Sequence, residues 1–206
     1  MSLFRKIFGS KSDKKETELK SEERGKYMPE IKLPIDERFT IKFKENGGKF
    51  LYCENLNEIF ESLNNILEEN HWENEKALII DENLQNKFSN SGLNPTKSFQ
   101  ESSFFLTTCE NLIADDGSLL ISSNQIAEKK LREFPDSFIV FATTSQITAN
   151  IGDGLRGIKS KNMQKIPTNI TTIKHFKLQE EKQEEKDFLS YGSSSKNLYL
   201  LLLEDL

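Results

Sequence analysis

The chain has 206 residues, 28 Lys and Arg against 33 Asp and Glu, and a formal net charge of −5. That balance provides no global attraction to nucleic acid or to an anionic membrane, and no apolar run approaches the roughly 18 residues of a spanning helix. Two cysteines, Cys53 and Cys109, and two histidines, His71 and His175, show no metal-ligand spacing, and two thiols cannot hold a conventional iron–sulfur cluster on one chain.

Residues 1–27 form a polar segment with eight Lys and Arg against five Asp and Glu. Leu3, Phe4, Ile7 and Phe8 could make one short amphipathic turn. The rest has too little apolar content to offset its ordering entropy, so a disordered leader is expected. The segment also lacks the apolar region and cleavage site of a signal peptide, and a cytoplasmic protein is expected. One domain is expected over 28–206.

FTIKFKE (39–45) alternates apolar and polar residues. With the Gly-Gly at 47–48 and KFLYC behind it, the pattern predicts an N-terminal β-hairpin. NLNEIFESLNNILEEN carries Leu56, Ile59, Phe60, Leu63, Ile66 and Leu67 at helical spacing, and Asn55 with Glu58 resembles a capping box. ALIID (77–81), SFFLTT (103–108), SLLISS (118–123), SFIVFA and NLYLLLL are continuous apolar runs, as buried strands require. ENLQNKFS reads as a short helix, IAEKKLREF as a helix closed by Pro135, and 144–162 as largely helical. NITTIKHF is a strand candidate, and KLQEEKQEEKD (177–187) a charged linker or exposed helix. Strands alternating with helices imply an α/β sheet covered on both faces. Ligands of such sheets sit beyond the carboxyl ends of the strands.

Three motifs bear on chemistry. GDGLRG (152–157) matches Gly-x-Gly-x-x-Gly, but a dinucleotide fingerprint directly follows a strand, and these glycines lie about ten residues after SFIVFA. They read instead as glycines that end the helix, loosen it or let it pack closely. Ser193 and Lys196 match Ser-x-x-Lys without the partner motifs of a serine acyl-transferase. Gly192, Ser193, Ser194, Ser195 and Lys196 can alternatively form an anion-binding loop of amides, hydroxyls and a cation, or an ordinary polar turn.

The third motif is ENLIADDGSLLISSNQ (110–125). Asp116-Gly117 between apolar runs is a strong turn signal. Adjacent Asp115 and Asp116 can converge in a turn, which raises one pKa and creates a candidate acid/base. Otherwise the acids only shape the turn.

This stretch, with LREFPDSFIVFAT and GSSSKNLYLLLL, resembles the LUD-domain family, and within it the lactate-utilisation protein C type. The family's Ala-acid-Thr-Gly-Thr pattern appears here as Ala114, Asp115, Asp116, Gly117 and Ser118. Its Leu-x-x-Pro block corresponds to Leu131–Pro135, here with one more intervening residue, and its Gly-Pro-Ser-Arg-Thr-Ala-Asp-Ile block is matched loosely by Gly192 to Leu198. Asp116 replaces the usual Thr, and the last block lacks its Pro, Arg and Asp.

The resemblance implies a NagB/RpiA/CoA-transferase-like α/β sheet flanked by helices. It also implies an accessory or regulatory subunit in lactate oxidation to pyruvate, beside iron–sulfur partner proteins that carry the clusters, with no cofactor on this chain. A small carboxylate or phosphate ligand is expected near Gly117, Ser118, Ser122, Ser123, Asn124 and the Gly192–Lys196 loop. The alternative is a stand-alone enzyme of the CoA-transferase or sugar-phosphate-isomerase kind with Asp115 or Asp116 as base. A third reading is an adaptor acting through residues 1–27.

Overall fold

The computed structural model describes residues 33–176 and 196–205. The amino-terminal segment 1–27, the start of the domain at Met28, the charged stretch 177–187 and the loop residues Gly192, Ser193, Ser194 and Ser195 lie outside them.

Six parallel strands form the central sheet: β1 (Lys49–Cys53), β2 (Lys76–Leu78), β3 (Asn94–Thr96), β4 (Phe104–Thr108), β7 (Ser137–Thr143) and β10 (Asn197–Leu203). Their order is β1-β10-β7-β4-β2-β3. A second, four-stranded sheet contains β5 (Asn111–Ile113), β6 (Ser118–Ile121), β8 (Ile147–Thr148) and β9 (Thr171–Ile173), in the order β8-β5-β6-β9.

The apolar runs of the central sheet are continuous because each strand serves two cores. In β10, Leu198, Leu200 and Leu202 enter one core, while Tyr199 and Leu201 enter the other. In β7, Phe138, Val140 and Ala142 divide from Ile139 and Phe141 in the same way. This alternation follows from the two-residue period of a strand buried on both faces.

Helix α2 (Leu56–Asn70) covers one face through Ile59, Leu63, Ile66 and Leu67. Each such side chain contributes about 1.5–3 kcal/mol on burial. Asn55 accepts the Glu58 amide at 3.1 Å, and Glu58 Oε2 accepts the Glu54 amide at 2.8 Å, so the capping predicted from sequence is present with the return bond one residue earlier. The helix ends at His71, which takes a left-handed conformation, φ 59°. Helix α3 (Glu82–Lys87) lies on the same face.

The second sheet packs on the opposite face, together with α1 (Ile35–Glu45), whose Phe39 and Phe43 are fully buried. Outermost on that side lies α5 (Ile151–Lys161), with Ile158 against Ile113 and Leu120. The molecule is therefore layered: helices, parallel sheet, second sheet, helix.

Three sequence expectations are corrected. The N-terminal β-hairpin is absent, because residues 39–45 belong to α1 and only KFLYC is a strand. Phe39 and Phe43 stand four apart on one helical face, whereas Ile41, which made the alternation look strand-like, is 45% exposed. Asp36 and Glu37 in the first turn and Lys42 and Lys44 in the last favour the helix dipole. The helix expected over IAEKKLREF is also broken. Only α4 (Ser123–Ile126) and a 3₁₀ turn, Leu131–Glu133, form there. Ala127 adopts φ 50°, and Asn169 Nδ2 donates to the carbonyls of Ala127 and Lys129, both at 2.9 Å, which replaces helical bonding with a tertiary tether. In the 144–162 segment, β8 precedes α5, so only the second half is helical. No helix among the described residues is long and apolar enough to cross a membrane.

Candidate functional site

The Asp115–Asp116 turn joins β5 to β6. Asp116 Oδ1 accepts the Ser118 amide at 3.1 Å and the Ser118 hydroxyl at 2.6 Å, which closes the turn locally. Gly117 adopts φ 71°, and a Cβ there would lie 2.4 Å from the Phe43 amide nitrogen and the Lys42 carbonyl carbon. The turn is therefore pressed against the backbone of α1, and glycine alone fits. Asn46 Nδ2 reinforces this contact by donating to the Asp116 carbonyl at 2.7 Å.

The two carboxylates take separate cationic partners. Asp115 Oδ1 pairs with Arg38 Nη1 at 3.2 Å, and Asp116 Oδ2 with Lys174 Nζ at 3.5 Å. One acid ties the turn to α1 and the other ties it to the chain leaving β9.

Asn46 lies just before β1, so the turn sits at the amino edge of the parallel sheet. Lys196 stands at that edge as well, directly before β10, and its backbone bridges to Phe176, whose amide donates to the Asn46 carbonyl at 3.0 Å. The side chain of Lys196 is almost wholly buried. Its Nζ donates to the carbonyls of Phe134 and Pro135, each at 3.0 Å, with Asp136 Oδ1 at 3.6 Å. The ammonium of Lys196 thus fastens the entry of β7.

Ser122, Ser123 and Asn124 lie at the other end. Strand β6 runs back toward the carboxyl edge, where the Ser122 hydroxyl donates to Glu110 Oε1 at 2.5 Å and Asn124 Nδ2 donates to the same oxygen at 2.8 Å. Ser122 also caps α4 through Gln125, and Ser123 Oγ accepts the Thr168 amide at 3.0 Å. The structure therefore divides the sequence-predicted residues: Asp115, Asp116, Gly117, Ser118 and Lys196 at the amino edge, and Ser122, Ser123 and Asn124 at the carboxyl edge.

Sequence reading missed the richest polar cluster at the carboxyl edge. After β7 the chain makes a 3₁₀ turn, Thr144–Gln146. Asp205, two residues past β10, accepts the Thr144 hydroxyl at 2.9 Å, the Ser145 amide at 2.8 Å and the Ser145 hydroxyl at 2.7 Å. Partial desolvation acts to raise its pKa, but the Ser145 hydroxyl and amide and the hydroxyls of Thr143 and Thr144 outweigh it and bring it down to about 2. Gln146 Nε2 donates to the Cys109 carbonyl at 2.5 Å, linking the ends of β7 and β4. Cys109 itself is buried, and desolvation, helped by the Glu110 charge, pushes its thiol far up, so it is not a thiolate nucleophile. The signal available in sequence was TTSQ directly behind SFIVFA, and Asp205 directly behind the last apolar run.

The sheet reverses its direction of growth between β2 and β4, since β2 leads outward to β3 and β4 leads back to β7. Beside that reversal, a shallow cleft is lined by Ile79, Phe88, Leu93 and Pro95 with Gln85, Asn86 and Ser89. Among the described residues no group of three or more His, Cys, Asp or Glu is placed to hold a metal ion. The carboxyl edge can orient a small polar molecule through hydroxyls, amides and carboxylates. In Gly-x-Gly-x-x-Gly, Gly154 is a packing residue whose added Cβ would lie 3.1 Å from Leu120 and 3.3 Å from Ile113, and the start of α5 is capped by Asn150 on the Asp153 amide at 3.0 Å.

Comparison with known proteins agrees with this architecture. No curated protein matches the chain. A DUF162 family protein from Deinococcus radiodurans has a similar solved structure, with a TM-score of 0.56 and 15% identity, covering 82% of this chain and 96% of that one; at this identity the likeness speaks for the fold alone. The family model of the LUD domain matches residues 37–202. With most of its length matched and a Rossmann-like parallel sheet flanked by helices, the chain belongs to the LUD-domain family.

Proposed function

We propose that this chain is an accessory or regulatory subunit of a lactate-utilisation-type redox complex, working beside partner proteins that carry the iron–sulfur clusters. Membership of the LUD-domain family supports a lactate-utilisation role in general. The observation that carries the finer reading is the engagement of both turn acids. Asp115 is bound to Arg38 and Asp116 to Lys174 and Ser118, so the most enzyme-like motif of the sequence serves architecture. A small carboxylate or phosphate ligand remains part of the proposal, with the carboxyl edge around Ser122, Asn124 and Ser145 as the place to seek it.

The test is reconstitution. Lactate-dependent electron transfer by the purified iron–sulfur partners is measured with and without this chain, and with its Asp115→Asn and Asp116→Asn variants. The proposal expects a rate that depends on the chain and is retained by both variants. Turnover of a CoA ester or a sugar phosphate by the chain alone, abolished in either variant at unchanged melting temperature, would replace it with the acid/base enzyme.

A further inference from the structure

The net charge of −5 conceals a strong internal asymmetry. Residues 54–75, comprising α2 and its flanks, contain seven glutamates and no lysine or arginine. Glu69 pairs with Lys49 at 3.5 Å, while Glu61, Glu68 and Glu73 are exposed. Residues 151–174, comprising α5, the chain leading into β9, β9 itself and Lys174 after it, contain five lysines and arginines and a single acid, Asp153. Arg156 pairs with Asp153, whereas Lys159, Lys161 and Lys165 are exposed and have no ion-pair partner among the described residues.

The basic layer is also apolar. Ile151 and Leu155 stand four apart on the outer side of α5 and are 47% and 41% exposed. Met163, at 86%, and Ile166, at 47%, continue the patch beyond the helix. An apolar centre with a basic rim is the composition of a protein-binding surface. The acidic layer has its own exposed apolar residue, Leu56, at the start of α2.

These layers occupy opposite outer sides of the molecule. Helix α2 covers one face of the parallel sheet, and α5 lies outside the second sheet, beyond the other face. Because they face away from each other, the acidic face of one molecule cannot neutralise its own basic face, but it can meet the basic face of another. We infer that the α5 surface docks a second copy of this chain through that copy's α2 surface, in a head-to-tail contact. The complementarity is carried by Lys159, Lys161 and Lys165 on one side and Glu61, Glu68 and Glu73 on the other. Such a contact is heterologous, so it leaves one free face of each kind and extends to rings or chains. The inference is independent of the accessory-subunit reading.

The test is sedimentation velocity on the full chain in roughly 10 mM and roughly 1 M salt, where the screening length is about 30 Å and about 3 Å. Species larger than the monomer are expected in low salt, with association weakened about tenfold or more in high salt. A basic-face variant (Lys159→Glu, Lys161→Glu, Lys165→Glu) and an acidic-face variant (Glu61→Lys, Glu68→Lys, Glu73→Lys) should each be monomeric in low salt. All six positions are exposed, and unchanged circular dichroism and melting temperature confirm that the variants fold.

Mixing the two variants gives the decisive reading. Each variant alone sets like charge against like, whereas in the mixture the native faces still fit and the two reversed faces are again opposite in charge, so association should return. A wild-type chain that is monomeric at both salts overturns the inference. So does association that survives both variants, or a mixture that shows no association. Binding of a monomeric wild-type chain to phosphatidylglycerol vesicles, lost in the basic-face variant, would assign the α5 surface to a membrane instead.

Discussion

Gly117 and Phe43 are packed backbone to backbone, with 2.4 Å left between the Phe43 amide nitrogen and the place a Gly117 Cβ would occupy. The contact locks the β5–β6 turn onto α1. Gly117→Ala therefore adds a steric clash to the cost of a positive φ, and a loss of roughly 3 kcal/mol or more is expected. Gly92 is the matched control, with the same φ of 71° and open space around it. Gly92→Ala should cost about 1 kcal/mol, the conformational part alone. Urea midpoints of the two variants measure the difference.

Asp115 and Asp116 hold ion pairs that are substantially exposed. Asp115→Asn should change stability by less than about 1 kcal/mol, as exposed pairs do. Asp116→Ala should cost more, because the turn loses two hydrogen bonds to Ser118 in addition to the pair with Lys174. Thermal melts at low and high salt separate these contributions, since only the ionic part is screened.

Lys196 distinguishes an architectural cation from an anion receptor. Replacement by Met leaves the carbonyls of Phe134 and Pro135 without their ammonium donor, and a loss of about 1–3 kcal/mol is expected. A cation kept for a ligand would behave in the opposite way, with Lys196→Met raising the stability of the ligand-free protein. Denaturant unfolding of the variant decides between them.

Asp205 makes the last strand sensitive to acid. Its pKa in the folded protein, about 2, lies below the ordinary 3.8. The stability it contributes is therefore fully present above the unfolded value and is lost as pH falls through the folded one. Asp205→Asn should be less stable than wild type near neutrality, and the gap should close between about pH 4 and pH 2. Melting temperatures across that range, for both proteins, test the sign.

Cys53 and Cys109 are both buried, and desolvation raises both thiol pKa values. Neither should react with an aromatic disulfide reagent at pH 8 while the protein is folded, and both should react once it is unfolded. A thiol that titrates in the native protein would contradict this packing.

The central sheet was legible because strands buried on both faces have a distinctive sequence: LLLL and FIVF leave no polar face to solvent. Helix α2 was legible for the opposite reason, since its single apolar stripe follows the helical period. Helix α1 was misread because Phe39, Ile41 and Phe43 satisfy a two-residue period as well as Phe39 and Phe43 satisfy a four-residue one. Only burial, which exposes Ile41, separates the two. The candidate site was half legible. Asp115 to Ser118 was correctly read as a turn, but nothing in local sequence says that β5 runs away from the carboxyl edge and carries the turn to the amino edge. TTSQ and Asp205 were passed over because hydroxyls and an acid become a cluster only when the ends of β7 and β10 are neighbours.

Strand β10 enters the sheet between β1 and β7, pairing residues as far apart as Lys49 and Tyr199. During synthesis β1 therefore waits, edge-exposed, while the chain up to Asn197 is made, and the one partner strand it has among the described residues comes after the other described strands have emerged. The sheet is completed by insertion of a last strand into a gap and not by growth at an end. A nascent chain stalled before β10 holds two unsatisfied strand edges, at β1 and β7, which is the condition under which chaperones bind and chains cross-pair.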